Sequence, residues 1–364
     1  MIRLLAFAAA LLGMLGAAEP AFAGPDRSEL MGMLDRLDEA EVAAVAEMVA
    51  MMRTVRETYW KPVEPGELAR AAMEAMAHRD RWSALLSPEQ RREMQNQLGG
   101  SYVGLGIRYR QEDGRFRITG VTEGSPAQAA GFRPGDEIVA VEGLPVAGLD
   151  MAELGRRLAG EPGQAVLIAV ARPDAPEPVA IRVVRDLIQV ASVSGQVVED
   201  IAYLRLREFT ASTAVEVQRS VTRLRAEIGP RIRGLVLDLR DNPGGLVRSA
   251  VRVADAFLEA GVIMTTDGPR TDDGAVYSAR PGDVADGLPM VVLVNGKSAS
   301  AAEVVTGALK DHGRATVVGE RTFGKGVIQR TLSLSGGRAL KLTAASYRTP
   351  SGAVVHEHGI EPDI

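Results

Sequence analysis

The stretch that decides the fold is MVVLVNGKSASAAEVVTGALKDHG, residues 290–313. Its first residues form an apolar run that is typical of a buried strand, and the residues after Ser298 place apolar side chains at helical spacing. A strand that leads into a helix is the repeating unit of an α/β fold. Ser300 and Glu303 fit the S-x-x-E capping box, which satisfies free N–H groups at a helix start. Taken alone, the turn predicts a helix cap, and a nucleophilic serine needs support from elsewhere in the chain.

The same alternation continues on both sides of this stretch. Strand-like runs IAYLRL, GLVLDL and TVVGE alternate with helical runs TAVEVQRSVTRLRAEI and LVRSAVRVADAFLEA. This order predicts an α/β domain with a largely parallel sheet over residues 187–364. Residues 99–186 hold short alternating runs separated by Gly, Pro and Asp turns, which predicts a compact β-rich unit. Residues 24–98 carry apolar side chains at three- and four-residue spacing and are predicted to be a helical region.

The N-terminus, MIRLLAFAAALLGMLGAAEPAFAG, has the pattern of an export signal. A basic residue, Arg3, precedes an apolar stretch, and an A-x-A triplet ends at Ala23. This order predicts a cleavable signal peptide over residues 1–23 and a periplasmic or secreted protein. The alternative is an uncleaved N-terminal anchor, which would leave the protein on the same side of the membrane. The apolar stretch is short for a span, which needs roughly 20 residues.

Composition excludes several classes of protein. The 364 residues carry a net charge of −5, so nothing favours bulk attraction to nucleic acid. There is no cysteine, which excludes disulfides, thiolate metal sites and a cysteine nucleophile. We predict neither a metal site nor an organic cofactor.

Two loops leave buried-looking strands at the edge of the predicted sheet. In open α/β sheets, sites form beyond the carboxyl ends of the strands. The loop after GLVLDL contains Gly244 and Gly245, whose backbone can adopt strained turns and present bare N–H groups. The loop after MVVLVN places Ser300 at a helix N-terminus, where free N–H groups favour negative charge. A hydroxyl beside such donors suits acyl transfer, which forms an oxyanion. The glycine pair is equally compatible with an ordinary turn.

A serine nucleophile also needs a base, and the histidines are poorly placed. His312 ends the helix that Ser300 begins, about 18 Å away. His356 and His358 form a lone H-x-H pattern, which is more typical of a solvated tail than of a metal or triad site. No role suggests itself for His78.

Lysine is the better candidate for the base. Only five of the 42 basic residues are lysines, and a buried lysine can lose its proton whereas arginine stays charged. Lys325 lies between Gly324 and Gly326, where another backbone or a ligand can approach closely. Gln329 follows four residues later and would share a strand face with Lys325. A surface lysine in a glycine-rich turn remains the alternative.

Several motifs, in the same order, resemble the carboxyl-terminal processing proteases. These are tail-specific serine peptidases with a Ser–Lys dyad and an inserted PDZ domain. The resemblance begins near Tyr59 and includes YVGLGI, GSPAQAAGFRPGDEIVAVEG, IAYLRLREF, LDLRDNPGG, SASAAEVVTGALKDHGRATVVGERTFGKGVIQ, YRTPSG and GIEPDI. It implies a crotonase/Clp-like α/β protease core, an inserted β-rich PDZ domain over residues 99–186 and an N-terminal helical segment.

The resemblance also implies roles for individual residues. The nucleophile, the general base and the residue that orients the base fall on Ser300, Lys325 and Gln329. The oxyanion donors fall on the N–H groups of Ala301 and Gly245, with Gly244 the less favoured donor. Ser298 is left with a structural role.

The PDZ part of the resemblance implies how substrate is chosen. Its carboxylate loop falls on Gly104, Leu105, Gly106 and Ile107, whose N–H groups would capture a chain's terminal carboxylate while the peptide adds as a strand. The implied partners are protein substrates or their C-terminal tails. An adaptor, or self-association through the N-terminal helices, is a further expectation.

The sequence departs from the family before the PDZ part. Residues 77–90 read AHRDRWSALLSPEQ, where relatives usually carry a Leu-Asp-Pro-rich segment. Two other functions remain open. One is a catalytically silent or partner-activated PDZ scaffold, and the other is a crotonase-like acyl-CoA enzyme. The export signal and the PDZ unit count against the second.

Overall fold

The computed structural model describes residues 32, 35–269 and 274–364. The predicted signal peptide, residues 1–23, lies outside the described residues. No helix in the described part of the chain is long and apolar enough to cross a membrane.

Within residues 35–98, three helices and one short strand precede the β-rich unit. They are α1 (Glu39–Thr58), α2 (Pro65–Ala77), β1 (Ala84–Leu86) and α3 (Pro88–Leu98). Capping boxes begin α1 and α3, and proline occupies the first turn of α2 and α3, where its missing N–H costs nothing. The strand β1 lies inside the region that the sequence predicts to be helical. Its three apolar residues pair with a strand more than 250 positions later in the chain, and such pairing overrides local propensity.

The β-rich unit is an antiparallel sheet flanked by two short helices. The sheet order is β3-β4-β5-β7-β8, with β6 paired to β5. Its core contains Phe116, Ile118, Ile138, Leu154 and Ile168. The elements are β3 (Ile107–Glu112), β4 (Arg115–Val121), α4 (Pro126–Ala129), β5 (Glu137–Val141), β6 (Leu144–Pro145), α5 (Met151–Leu158), β7 (Ala165–Ala171) and β8 (Val179–Val184). Where the chain enters and leaves this unit, β2 (Ser101–Gly104) pairs antiparallel with β9 (Asp186–Gln189).

The rest of the chain is built on a five-stranded sheet of order β10-β11-β12-β15-β16. All neighbours are parallel except β10 and β11. Helices α6, α7 and α8 pack on this sheet through apolar faces, as the strand–helix alternation predicts. The elements are β10 (Val193–Val198), β11 (Ile201–Leu206), α6 (Thr213–Ile228), β12 (Gly234–Asp238), α7 (Val247–Asp255), β15 (Met290–Val294), α8 (Ala301–Asp311) and β16 (Thr316–Gly319).

A second sheet covers the other side of α8. Its order is β1-β18-β13-β14, with β17 paired to β18. The sequence pattern missed β13 (Val262–Asp267) and β14 (Val276–Ser278), which pair with each other across a register shift. The remaining strands are β17 (Val327–Ser333) and β18 (Ala339–Arg348).

This topology fixes where a site can form. Because β12 and β15 are adjacent and parallel, their carboxyl ends meet at one edge of the sheet. The glycine loop after β12 and the serine loop after β15 therefore lie side by side.

Candidate active site

Ser300 stands immediately before α8 in an unusual backbone conformation. Its φ is 54° and its ψ is −115°, a combination that residues other than glycine rarely adopt. The residue is only 8% exposed. Strain of this kind persists only where surrounding contacts impose it, and it clusters at functional sites.

The contact that holds Ser300 is the buried carboxylate of Glu303. Its Oε2 accepts hydrogen bonds from the main-chain N–H groups of Ser300 and Lys325, both at 2.8 Å. Its Oε1 accepts from the Thr322 hydroxyl at 2.6 Å and the Gly324 N–H at 2.7 Å. Burial raises the pKa of Glu303, and these four hydrogen bonds oppose the rise. The capping glutamate thus also ties the start of α8 to the segment that carries Lys325.

Tyr347 binds the same two residues from the other side. Its hydroxyl lies 3.0 Å from the carbonyl oxygen of Ser300 and 3.2 Å from that of Lys325. The side chain is fully enclosed, and burial holds the pKa of Tyr347 well above its ordinary value, so the hydroxyl remains a donor. The main chains of Ser300 and Lys325 are therefore fixed through both their N–H and their C=O groups.

The glycine loop lies directly against Ser300. A Cβ built on Gly244 would come within 2.8 Å of Ser300 Cβ and 3.0 Å of the Ala301 nitrogen. The Gly244 N–H donates to the side-chain oxygen of Asn242 at 2.9 Å. In the described residues, the N–H groups of Gly245 and Ala301 have no main-chain or side-chain acceptor. The Ala301 N–H, next to Ser300, and the Gly245 N–H, in the adjoining loop, are thus free, while the N–H of Gly244 is already engaged.

Hydrogen bonds between the two loops fix this arrangement. The Asn242 carbonyl accepts from the Ala299 N–H at 2.9 Å. The Ser298 hydroxyl donates to the Leu239 carbonyl at 2.8 Å and accepts from the Asn295 N–H at 3.0 Å. Ser298 is fully buried. It therefore joins the ends of β12 and β15.

The side chain of Lys325 makes no hydrogen bond to the serine hydroxyl in the described part of the chain. Its Nζ lies 4.3 Å from the centre of the Trp82 ring. Among the hydrogen bonds of the described residues, none joins Lys325 Nζ to Ser300 Oγ. Burial lowers the pKa of Lys325, and repulsion from Lys341 and Arg81 lowers it further. The main chains of the two residues are held together, whereas no hydrogen bond joins their functional atoms among the described residues.

Gln329 is close in sequence but has no partner in the resting arrangement. It lies in β17 just after a register shift between Ile328 and Gln329. Its Nε2 is buried without a hydrogen-bond partner among the described residues. An unpaired buried amide is costly, so this group is available to a side chain that moves toward it.

The predicted carboxylate loop lies between β2 and β3. The Leu105 carbonyl accepts from the Ala127 N–H at 2.9 Å, and the Gly106 carbonyl accepts from the Thr122 N–H at 2.7 Å. The N–H groups of Leu105 and Gly106 have no main-chain acceptor in the described part of the chain. The Leu105 N–H is therefore a free donor, which suits an anion, whereas the Gly106 N–H faces the Tyr102 hydroxyl.

Tyr102 covers part of this loop. Its ring occupies the space beside Gly104, since a Cβ there would come within 2.5 Å of Tyr102 Cε2. Burial raises the pKa of Tyr102, and Arg108 and the Gly106 N–H oppose the rise.

The main chain of His356 and His358 packs against the two glycines that flank Lys325: a Cβ on Gly326 would lie 2.2 Å from the His356 nitrogen, and one on Gly324 would lie 3.2 Å from the His358 nitrogen. This segment therefore packs against the site and is not the solvated tail that the sequence favours.

The other candidate histidine of the chemistry, His312, lies elsewhere. His312 contacts the Val262 carbonyl through Nε2 at 2.7 Å. Within the described residues, no group of three or more His, Cys, Asp or Glu side chains is arranged to hold a metal ion.

A serine at a strained helix start, flanked by free N–H groups at the edge of a parallel sheet, defines the site class of an α/β serine hydrolase. Comparison with known proteins identifies the family. The profile of peptidase family S41 matches residues 200–364, and that of a PDZ domain matches residues 117–172. Residues 200–364 therefore belong to peptidase family S41, and residues 117–172 belong to a PDZ domain. The resemblance and the fold class expected from the sequence are both confirmed.

Three relatives illustrate the similarity. A carboxy-terminal-processing protease of Bartonella bacilliformis is 38% identical over 286 residues, covering 78% of this chain and 66% of the relative. A probable CtpA-like serine protease of Staphylococcus aureus is 31% identical over 340 residues, covering 91% of this chain and 66% of the relative. The solved structure of a photosystem II D1 C-terminal processing protease has 28% identity and a TM-score of 0.51, covering 87% and 86% of the two chains. The chain thus spans just under two thirds of the length of the first two relatives.

Proposed function

We propose that this protein is an extracytoplasmic serine endopeptidase that recognises substrate C-termini through its PDZ domain and cleaves with Ser300 and Lys325. The observation that carries the proposal is the pair of buried groups, Glu303 and Tyr347, that fix the main chains of Ser300 and Lys325 beside two free N–H groups. Membership of a family of serine-type peptidases supports it.

The chemistry follows from the groups present. The neutral amine of Lys325 takes the proton of the Ser300 hydroxyl as the oxygen attacks the substrate carbonyl. The N–H groups of Ala301 and Gly245 stabilise the oxyanion that forms. The protonated amine then gives its proton to the leaving nitrogen, and water hydrolyses the acyl-enzyme by the reverse sequence.

This chemistry requires a hydrogen bond between Lys325 and the Ser300 hydroxyl, which the described residues do not form. A movement of the Lys325 side chain, whose Nζ lies over the Trp82 ring, would form it. The buried Nε2 of Gln329 has no hydrogen-bond partner among the described residues, which supports a role for this side chain beside the dyad. After the movement, the amide oxygen of Gln329 accepts from the amine and orients it.

The PDZ domain supplies substrate selection in this proposal. The carboxylate of a protein tail binds at Gly104, Leu105, Gly106 and Ile107, and the tail extends along β3. No metal or organic cofactor takes part.

Export and partners belong to the same proposal. Residues 1–23 direct the chain out of the cytoplasm and are removed, with an uncleaved anchor as the alternative. The helix α1 buries no residue, and Met48 and Met51 on it are exposed. An adaptor or a second copy of the chain binds at these helices.

One observation favours a second candidate, a silent or partner-activated PDZ scaffold. It is the lack of a hydrogen bond between Lys325 Nζ and the Ser300 hydroxyl in the described part of the chain, because a dyad that never aligns would leave only the binding function. The fold offers no comparable observation for an acyl-CoA enzyme.

Cleavage of an unfolded protein with an apolar C-terminal tail tests the proposal. We expect the wild type to cut it, Ser300→Ala and Lys325→Arg to lose activity, and amidation of the tail to slow cleavage by raising KM. Cleavage that survives both substitutions contradicts the dyad. Tail binding without any cleavage, alone or with added periplasmic extract, favours the scaffold.

A further inference from the structure

The segment between α2 and β1, residues 78–83, is hydrogen-bonded to β18 of the second sheet. Asp80 accepts hydrogen bonds from the N–H groups of Trp82 and Ser83, both at 2.7 Å. The Ser83 hydroxyl accepts from the N–H of Thr343 in β18 at 3.0 Å. This is the segment in which the sequence departs from its relatives, and its anchoring holds the Trp82 ring in place.

The Trp82 ring is the centre of a cluster of aromatic and basic side chains. Phe323 packs edge-on against it, with ring centres 6.0 Å apart and an interplanar angle of 70°. Lys325 Nζ lies 4.3 Å from the ring centre, and Arg81 Cζ lies 4.5 Å from it. A cation this close to an indole is attracted by the negative face of the ring.

Opposing charges act on the Lys325 amine. Arg81 in the same segment and Lys341 in β18 repel a proton there, while Asp80 and Glu303 attract it. The indole adds to the attraction, because it stabilises the ammonium and not the neutral amine. The Trp82 contact therefore favours the state in which Lys325 cannot act as a base.

We propose that Trp82 is a positioning residue for the base: its ring binds the Lys325 amine in the protonated form, and the amine must give up this contact before it can act on Ser300. The proposal rests on the role of Lys325 in the proposed function. It also gives a function to the segment AHRDRWSALLSPEQ, which contains none of the proposed catalytic residues.

Two substitutions separate the ring's electrostatic effect from its bulk. Trp82→Phe keeps an aromatic face, whereas Trp82→Leu keeps an apolar side chain and removes the face. Melting temperatures identify any variant that fails to fold. Only variants whose melting temperature lies within a few degrees of the wild-type value are compared.

Lysine titration by NMR measures the effect without relying on activity. The chain has only five lysines, so ¹³C-lysine labelling gives few Cε signals, and Lys325→Arg identifies the signal of Lys325. In the wild type we expect the Lys325 Hε protons to be shifted upfield by the indole. Trp82→Leu should abolish this shift and lower the proton affinity of the amine about two- to thirtyfold relative to Trp82→Phe.

The pH dependence of peptidase activity provides a second test of the proposal. If the ring restrains the base, Trp82→Leu should raise kcat/KM below neutral pH and move its acidic limb to lower pH, while Trp82→Phe stays near the wild type. An unchanged Lys325 titration in Trp82→Leu, or an acidic limb that moves to higher pH, overturns the proposal. If Lys325 titrates as expected but no variant cleaves, the positioning role stands and the proposed peptidase function fails.

Discussion

The main-chain N–H groups of Ser300 and Lys325 donate to the same oxygen atom, Glu303 Oε2, each at 2.8 Å. A residue whose local pattern indicates only a helix cap thus sets the distance between the proposed nucleophile and the proposed base. The Tyr347 hydroxyl bridges the carbonyl oxygens of the same two residues. Substitutions at Glu303 and Tyr347 should therefore affect catalysis without removing a reacting group.

Glu303→Gln should destabilise the protein and reduce its activity. The amide offers one acceptor oxygen in place of two and turns an NH₂ group toward N–H donors, leaving buried donors unpaired. We expect a loss of about 2 kcal/mol in unfolding free energy and at least a tenfold fall in kcat. Urea denaturation and peptidase assays measure both. Glu320→Gln, at an exposed glutamate, is the control. Equal unfolding free energies and equal kcat values for the two variants would contradict the role of Glu303.

Tyr347→Phe tests the second bridge with almost no change in volume. It removes the hydroxyl between the two carbonyl oxygens and leaves them buried. The unfolding free energy should fall by about 1–2 kcal/mol, and kcat should fall about tenfold with little change in KM. Thermal melting and steady-state kinetics provide the measurements. A variant with wild-type kcat would show that the position of the two carbonyl groups does not matter for the reaction.

The two serines of the turn should respond differently. Ser300→Ala should abolish cleavage with little change in stability. Ser298→Ala should retain most of the activity but lose about 1–3 kcal/mol of unfolding free energy, because the buried Leu239 carbonyl and Asn295 N–H lose their partner. Comparison of the two variants at 10 °C, where both are folded, separates stability from chemistry. Full loss of activity in folded Ser298→Ala would contradict this assignment.

The sequence predicted those parts of the structure that depend on local pattern. Strand–helix alternation was sufficient for the parallel sheet, because apolar periodicity reports burial directly. It missed β1, β13 and β14, which are short and owe their conformation to partners distant in sequence.

The same limit applies to the site. Capping chemistry identified Glu303 as a partner of Ser300, and the rarity of lysine drew attention to Lys325. Nothing local could indicate that Glu303 also binds Lys325, or that Tyr347 and Trp82 contact the same region. Tyr347 lies in YRTPSG, one of the motifs that resemble the family. Trp82 lies in a segment whose sequence differs from the family's usual pattern. Each contact joins chain segments that come together only in the folded protein.

Lys341→Gln should shift the pH dependence of the reaction. Lys341 repels the charged form of Lys325 and so helps to keep the pKa of Lys325 low. Removal of this charge raises the pKa of Lys325, so the acidic limb of kcat/KM should move to higher pH and activity near neutral pH should fall. A pH–rate profile measures the change, with Lys61→Gln at an exposed lysine as the control. A limb that moves to lower pH would contradict Lys325 as the base.

Gly245→Ala should displace the Gly245 N–H, one of the two donors of the proposed oxyanion site. The residue has a φ of 135°, which a side chain disfavours, and a Cβ would lie 2.2 Å from the Phe209 carbonyl oxygen. The loop must shift, and its N–H moves away from the developing charge, so we expect kcat to fall about 10²- to 10³-fold while binding of a substrate tail is retained. Gly296→Ala is the matched control in the neighbouring loop, because its Cβ would have no contact closer than 3.9 Å. Equal activity of the two alanine variants would exclude the Gly245 N–H from the oxyanion site, and the engaged N–H of Gly244 would have to be reconsidered.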